Sequence, residues 1–205
     1  WILGEGELSE EFRRDLADRA AKFGYPFFMR TDMASNKFDY QEACVVREAE
    51  QLFPSFAKTI EFNEEVEVSY RSIVFRDLLR PEFRFTAYKG MPVTRERRYF
   101  ARDGRYECRH PYWFPRVITE RMGSHVPPPP RNWRSLMAET NRETEEEVVL
   151  LAGYAEKITK ALGDYWSVDF LWANGRWWIT DMALGKASYH HPHARVSKGG
   201  PQSSA

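Results

Sequence analysis

Two aspartates near the end of the chain lie in surroundings that make them chemically informative. Asp169 is part of the segment WSVDF and Asp181 of the segment WWITD, and the dipeptide Asn174-Gly175 between them is typical of a two-residue hairpin turn. Since both acids lie at similar distances from that turn, we expect them to face each other on paired strands. An isolated carboxylate is costly to bury among apolar side chains. The pair therefore predicts a divalent cation such as Mg²⁺ held by both acids, or, as the alternative, an arginine partner or a turn cap for each acid.

Positively charged side chains recur at the ends of predicted strands. They are Arg30, Lys37, Arg76 and Arg98. Because side chains alternate along a strand, Arg98 shares one side of its strand with Glu96 and Phe100. Cations that a fold brings together can bind a polyphosphate, and a metal held by the two aspartates would complement it. Taken singly, each of these residues is an ordinary surface charge.

Hydrophobic periodicity and turn signals predict the elements that position these residues. The predicted strands cover residues 26–30, 69–79, 83–88, 93–101, 105–110, 165–173 and 176–182. A helix is expected over 10–23, with Ser9 as its N-terminal cap and Gly24 as its C-terminal cap. This order of helices and consecutive strands predicts an α+β fold with mostly antiparallel sheets.

Two further helices are expected. One contains Val45, Ala49 and Leu52, and Pro54 should break or restart it because proline lacks the N–H that a helix interior requires. The longest helix is expected over 135–162, where apolar residues recur at helical spacing after an acidic start.

Composition excludes several classes of function. The chain has 205 residues, with 30 lysines and arginines against 30 aspartates and glutamates, so no net charge draws it to nucleic acid or anionic lipid. There is no run of about 18 apolar residues and no secretory signal, and we therefore expect a cytoplasmic protein without membrane contact. Cys44 and Cys108 are expected to be reduced, with one disulfide as the alternative. Because the chain starts at Trp1 rather than methionine, we expect a preceding N-terminal region.

The order of several segments along the chain resembles a known family. The segments are MRTD at 29–32, SNK at 35–37, IVFR at 73–76, ERRYF at 96–100, WSVDF at 166–170 and DMA at 181–183. In this order they resemble the ATP-grasp domains, and most of all the divergent bacterial and phage members related to the cell division cycle 123 proteins. The resemblance extends over residues 25–192, which is nearly the whole chain.

The resemblance implies an ATP-grasp fold, in which two α+β lobes clamp a nucleotide. The N-terminal lobe would cover residues 1–79, and the region expected to precede it would not be part of this sequence. The C-terminal lobe would cover 80–192 and include the metal-binding hairpin, and 193–205 would form a disordered tail.

The resemblance also implies roles for single residues, with ATP and Mg²⁺ as cofactors. The residues that would bind ATP are Arg30, Ser35, Lys37, Arg76, Asp77, Leu78 and Arg98. Of these, Arg76, Asp77 and Leu78 belong to a hinge whose backbone would meet the adenine. Lys37 and Arg98 would also be catalytic, and Asp169 and Asp181 would hold the metal.

The chain departs from typical members of the family in three places. The first phosphate-binding cation is Arg30 rather than lysine, and the loop 32–36 contains no glycine. Ala183 stands where an asparagine usually completes the metal site, which leaves open whether one or two metal ions bind.

The activity implied by the resemblance is the ATP- and Mg²⁺-dependent joining of a carboxylate to an amine through an acyl phosphate. The substrates, which the sequence does not identify, would be small molecules, amino acids or peptides. The alternative is an ATP-binding assembly factor that grips a protein partner without ligase turnover, as the cell division cycle 123 proteins do.

Two clusters of basic residues remain outside this assignment. The arginine-rich run consists of Arg95, Arg97, Arg102, Arg105 and Arg109. A third class of function would be a module that processes nucleic-acid ends and binds them through this run. The zero net charge of the chain argues against this class. His190, His191 and His193 are expected to line the substrate end of the cleft or to lie at the surface, with zinc binding as the alternative.

Overall fold

The computed structural model describes residues 2–3, 7–192 and 194–196. The chain divides into two compact units. The first consists of Trp1–Leu79, Thr86–Met91 and Gly123–Pro128, and the second of Arg80–Phe85, Pro92–Met122 and Pro129–Ala205. Two short segments that follow residue 79 in sequence therefore belong with the N-terminal part of the chain.

The described residues form five α-helices and twelve β-strands. The helices are α1 Glu10–Phe23, α2 Leu52–Glu65, α3 Pro115–Thr119, α4 Trp133–Thr140 and α5 Glu145–Leu162. The strands are β1 Ile2–Leu3, β2 Glu7–Leu8, β3 Phe27–Thr31, β4 Val45–Val46, β5 Ile73–Asp77, β6 Phe83–Ala87, β7 Met91–Thr94, β8 Glu96–Arg102, β9 Arg105–Pro111, β10 Tyr165–Ala173, β11 Arg176–Leu184 and β12 Arg195–Val196. They form a five-stranded sheet in the order β11-β10-β8-β9-β12, a three-stranded sheet in the order β4-β3-β5, and the pairs β1-β2 and β6-β7. All pairings in the two larger sheets are antiparallel, and the predicted α+β class is confirmed.

The first unit is built on the three-stranded sheet. Its central strand β3 pairs with β4 through Phe27 and Phe28, and with β5 along its whole length. Alternate residues of β3 enter a core shared with α1 and α2, whose members are Leu16, Ala20, Phe27, Met29, Val46, Leu52, Phe56 and Ile60. The helix α1 has the caps that were predicted, because the Ser9 hydroxyl accepts a hydrogen bond from Phe12 N at 3.2 Å and Gly24 follows with a φ of 92°.

The helix predicted around Val45, Ala49 and Leu52 is wrong in its first half. Val45 and Val46 are buried in the short strand β4, and α2 begins only at Leu52. Pro54 lies in the first turn of α2, where the backbone N–H groups have no intrahelical acceptor and the missing donor costs nothing. Of the two outcomes expected for Pro54, a break or a restart of the helix, the structure has the restart.

In the second unit, α5 covers one face of the five-stranded sheet. The buried residues between the helix and the sheet are Tyr99, Ala101, Leu151, Ala155, Val168 and Phe170. Strand alternation places Arg98 and Asp169 on the opposite face. That face therefore receives the charged residues predicted to do chemistry.

The longest predicted helix is two helices. α4 ends at Thr140, and α5 begins after Thr144, whose hydroxyl accepts from Glu147 N while the Glu147 carboxylate accepts from Thr144 N. This capping box is visible in the sequence as Thr-Glu-Glu-Glu and sets a helix start. The buried guanidinium of Arg97 stabilises the break, because its Nη2 donates to the carbonyls of Thr140 and Arg142 at 2.8 Å each.

The end of the described chain carries one more strand. Arg195 lies opposite Arg109 and Val196 opposite Cys108, so that β12 extends the five-stranded sheet. The disordered tail predicted over 193–205 is therefore wrong at these two positions. His193 and residues 197–205 lie outside the described residues.

Both cysteines are free thiols in this structure. Cys44 is buried and Cys108 is half-buried, as expected for reduced residues. Within the described ranges, no helix combines the length and the apolar composition that crossing a bilayer requires.

Candidate functional site

Four polar residues form a row across four adjacent strands of the five-stranded sheet. His110 of β9 lies opposite Arg98 of β8, which lies opposite Asp169 of β10, which in turn lies opposite Asp181 of β11. Residues directly opposite each other on paired strands project from the same face of a sheet. The row lies on the face away from α5 and forms the candidate site of the second unit.

Arg98 and Asp169 form a two-point ion pair. Nε and Nη2 of Arg98 donate to Oδ1 and Oδ2 of Asp169, each at 2.7 Å. The Asp169 side chain is 3% exposed and the Arg98 side chain 19%, so water competes little for either group. Burial by itself lowers the pKa of Arg98, but the hydrogen bonds and the charge of Asp169 raise it overall. The guanidinium also lies 5.4 Å from the centre of the Tyr112 ring, within cation–π range.

Asp181 ends the row on β11. Its side chain is half-buried, and its Oδ1 accepts a hydrogen bond from Met182 N at 3.1 Å. The pairing register shifts between Asp169 and Phe170, and at this bulge the Thr180 hydroxyl donates to the Asp169 carbonyl at 3.3 Å. The two acids thus face each other, as predicted from the hairpin. The alternative prediction, an arginine partner for each acid, also holds for Asp169, which pairs with Arg98.

The two carboxylates, Asp169 and Asp181, suit a metal ion that has further ligands from phosphate or water. Mg²⁺ is commonly held by one or two carboxylates together with phosphate oxygens and water. In the part of the chain that the structure describes, no three His, Cys, Asp or Glu side chains are grouped so that they could hold a metal ion by themselves. Because both oxygens of Asp169 accept from Arg98, a metal ion would have to share this carboxylate with the guanidinium.

His110 belongs to the row, although the sequence analysis did not select it. The residue is 3% exposed, and its Nδ1 and Nε2 lie 2.8 Å and 3.2 Å from the carbonyl oxygens of Pro111 and Tyr189. Burial lowers the pKa of His110, against the opposite influence of the two carbonyls. A neutral imidazole has one N–H and donates to only one of them. The Asp103-Gly104 turn by itself would place Arg109 opposite Arg98, and the shift of register between Phe100 and Ala101 brings His110 there instead, so that the turn signal in the sequence does not identify this residue.

The closely spaced histidines pack on aromatic rings. His190 stacks on Phe100 with 4.0 Å between ring centres, and its Nε2 lies 2.7 Å from the Tyr165 hydroxyl. His191 stacks on Phe114 with 4.3 Å between ring centres. Among the described residues neither histidine is part of a three-ligand group, and these contacts give both a packing role.

In the first unit, Arg30 and Arg76 share one face of the three-stranded sheet. Arg30 lies opposite Val74, and Arg76 lies opposite Phe28, two residues before Arg30. Strand alternation places them on the face away from the core. Arg30 is 6% exposed and its Nε donates to the Thr31 carbonyl at 2.8 Å, whereas Arg76 is exposed.

Lys37 and Ser35 lie in the same neighbourhood as Arg30. Burial raises the pKa of Cys44 to about 12, and the positive charges of Lys37 and Arg30 oppose this rise. The Cys44 thiol donates to the carbonyl of Asn36, the residue between Ser35 and Lys37, at 3.3 Å. Lys37 begins a 3₁₀ turn, and its N–H donates to the Ser35 carbonyl at 2.8 Å. The structure thus places Ser35 and Lys37 side by side in the loop that follows the strand of Arg30.

The loop after β3 is held by side chains instead of glycines. The Thr31 hydroxyl accepts from Met33 N at 3.2 Å and from Ala34 N at 2.9 Å. Oδ1 of Asp32 accepts from Arg71 N at 3.0 Å, and this bond is the main cause of the lowered pKa of Asp32. Because the first amides of the loop already have acceptors, phosphate binding here would depend on side chains.

The remaining predicted ligands lie at the end of β5. Asp77, the last residue of the strand, is exposed and lies opposite Phe27, and the half-buried Leu78 follows it. Their contact with a nucleotide stays a prediction.

The arginine-rich run does not form a free basic surface. Arg95 pairs with Glu147 at 2.6 Å, Arg102 with Glu107 at 2.8 Å, and Arg109 with Glu143 at 3.1 Å. Arg97 is fully buried beside the same Glu143 carboxylate. These pairings neutralise most of the run, which weakens the hypothesis of a nucleic-acid surface.

Comparison with known proteins found similarity to solved structures. No protein-family model and no curated protein matches the chain. The chain is similar to the crystal structure of D-alanine–D-alanine ligase from Bacillus anthracis in complex with ATP, with 12% sequence identity and a TM-score of 0.43. The match covers 90% of this chain and 45% of the ligase chain, so the chain spans less than half the length of that protein. These values do not establish membership of its family.

Proposed function

We propose that this chain is the nucleotide-binding part of an ATP- and Mg²⁺-dependent carboxylate–amine ligase of the ATP-grasp type. The observation that carries the proposal is the row of Arg98, Asp169 and Asp181, in which one guanidinium and two carboxylates occupy adjacent strands. A metal triphosphate has the complementary charges, since its oxygens suit a guanidinium and its cation suits carboxylates. The ordered segments that resemble ATP-grasp domains support the same assignment.

In this proposal the row binds the reacting end of ATP. Asp169 and Asp181 hold Mg²⁺, and Arg98 is shared between Asp169 and the phosphate oxygens. The metal supplies charge neutralisation when it is bound. The remaining ATP ligands of the proposal are Arg30, Ser35, Lys37, Arg76, Asp77 and Leu78, of which Lys37 is also catalytic.

The proposed reaction has two steps. The γ-phosphoryl group of ATP is transferred to a substrate carboxylate, which gives ADP and an acyl phosphate. An amine then attacks the acyl carbon, phosphate leaves, and an amide bond forms. Phosphoryl transfer depends mainly on positioning and charge neutralisation, which are the contributions that buried, hydrogen-bonded charges such as Arg98 provide. We place this reaction in the cytoplasm, with a small molecule, an amino acid or a peptide as substrate.

A second candidate function is an ATP-binding assembly factor without ligase turnover. The observation that favours it is the saturation of Asp169, both of whose oxygens accept from Arg98. Ala183 also favours the assembly factor. It stands where typical ATP-grasp members have an asparagine that binds the metal, so the site has one metal ligand fewer.

Nucleotide binding is the first test of the proposal. Isothermal titration with ATP should show saturable binding that strengthens with Mg²⁺, and Asp181→Asn should abolish the effect of Mg²⁺. The matched control is Asp18→Asn, which changes an exposed acid of α1. The absence of binding heat with and without Mg²⁺ would contradict the proposal.

Turnover distinguishes the two candidate functions. The protein is incubated with ATP, Mg²⁺ and pools of amino acids and dipeptides, and ADP and new amide products are measured. Release of ADP that requires both a carboxylate and an amine would establish a ligase. Tight ATP retention without ADP release would support the assembly factor.

A further inference from the structure

The outward face of α5 carries apolar residues that nothing in the described structure covers. Val149 is 74% exposed, Leu150 44% and Tyr154 40%. Val149 and Leu150 lie on the side of the helix away from the buried Leu151 and Ala155, which pack on the sheet. Tyr154 lies at the edge of this side, with its ring centre 6.4 Å from that of Phe170. Gly153 follows Val149 by four residues and Leu150 by three, so that these three positions are neighbours on one helix face.

A glycine lies in the middle of this apolar face. An added Cβ at Gly153 would meet no atom within 4 Å, so nothing within the second unit requires a glycine there. Glycine in a helix interior costs about 1 kcal/mol relative to alanine. A small residue on an exposed face allows another backbone to approach closely. A contact of this kind would explain why a glycine stands at this position despite its cost to helix stability.

Charges are placed symmetrically about the same glycine. Glu146 lies seven residues before Gly153 and Lys160 seven residues after it, and Lys157 lies one turn after it. Seven residues are nearly two helical turns and about 10 Å along the axis. Glu146, Gly153 and Lys160 therefore lie on one face, and Glu146 and Lys160 are both exposed.

We propose that this face of α5 is the contact surface for a second copy of the chain, with the two α5 helices antiparallel and crossing at Gly153. A two-fold interface brings each residue opposite its mirror position on the partner helix. Such a crossing at Gly153 brings Glu146 of one copy to Lys160 of the other, twice. The same crossing covers Val149 and Leu150 in both copies. A parallel arrangement would instead bring like charges together, and this selects the antiparallel dimer.

The oligomeric state of the 205-residue chain is the first test. Sedimentation equilibrium should show a monomer–dimer equilibrium with a dissociation constant on the order of 10 to 100 μM, as expected for a small interface. Gly153→Gln should weaken association at least about tenfold by preventing close approach. The same change should hold or raise the melting temperature, because glutamine favours the helix, and this excludes misfolding as the cause.

Charge reversal is the second test and addresses the orientation of the helices. Glu146→Lys and Lys160→Glu should each abolish the homodimer, because each places like charges opposite each other. An equimolar mixture of the two variants should associate again, since both cross-helix pairs are then complementary. Glu61→Lys, at an exposed position of α2, is the control and should leave the dimer intact.

Two results would overturn the proposal. One is a monomer at all concentrations. The other is a dimer that withstands Gly153→Gln and both charge reversals, which would assign the contact to another surface. Neither result bears on nucleotide binding, which the proposed function places on the opposite face of the sheet.

Discussion

Arg98 and Asp169 are 71 residues apart in sequence and directly opposite each other on β8 and β10, joined by two hydrogen bonds of 2.7 Å. A buried carboxylate thus receives its neutralising charge from a neighbouring strand. Asp181 lies opposite Asp169 on the neighbouring strand β11 and faces that carboxylate as a like charge. The two acids of the row therefore differ in what they contribute to stability.

Substitution of the two acids should give opposite effects on stability. Asp169→Asn leaves Arg98 without its charge partner, and we expect a loss of about 3 kcal/mol because breaking a buried ion pair leaves an uncompensated charge. Asp181→Asn removes a like charge opposite Asp169, so the stability of the free protein should hold or rise. Chemical denaturation of both variants without nucleotide measures these changes. A large loss of stability from Asp181→Asn would assign that acid a structural role and contradict the metal assignment.

Removal of both charges of the pair should cost less than removal of one. We expect Arg98→Met combined with Asp169→Leu to be more stable than Asp169→Asn by about 1 kcal/mol or more, because no charge is left buried without a partner. Denaturant unfolding of the single and double variants measures the coupling. The double variant should nevertheless lose ATP binding. Additive effects on stability would show that the two residues act independently.

Acidification should destabilise the protein through His110. Its pKa is lowered from the ordinary value of 6.5, mainly by burial, so the folded protein binds fewer protons than the unfolded chain just below that pH. The stabilising contribution is therefore fully present above pH 6.5 and is lost as the pH falls through the folded-state pKa. Melting temperatures measured from pH 7.5 to pH 5 should fall, and His110→Phe, which suits the neighbouring rings of Phe100 and Phe114, should reduce the slope. An unchanged slope in this variant would assign the acid sensitivity to other groups.

The segment that follows β11 should tolerate no side chain at Gly185. An added Cβ would lie 2.4 Å from Cδ1 of Tyr165, so the segment or the ring must move. We expect Gly185→Ala to cost about 1 to 3 kcal/mol, the range of overpacked sites. Gly123→Ala is the matched control, since nothing lies within 4 Å of its added Cβ. Thermal unfolding of the two variants compares them, and equal melting temperatures would show that the contact is easily relieved.

Local signals predicted the elements whose ends are marked by caps or turns. The helix after Ser9 and the hairpin around Asn174-Gly175 were correct because a few adjacent residues determine them. Two errors arose where a local signal was misread. Val45 lies in a strand although it was predicted as part of a helix, whereas Pro54 restarts the chain as a helix, one of the two outcomes expected of it. The capping box at Thr144 divides the helix that was predicted as continuous.

The composition of the candidate row was determined partly by sequence and partly by tertiary structure. The turn between β10 and β11 is local and brings Asp169 close to Asp181, but the shift of register between Asp169 and Phe170 places the two directly opposite each other. The position of β8 beside β10 is not local, because it depends on which strands bury their apolar faces together against α5. For this reason only the tertiary structure decided that Asp169 pairs with Arg98 and that His110 joins the row, since a shift of one residue in either register would send these side chains to the opposite face of the sheet.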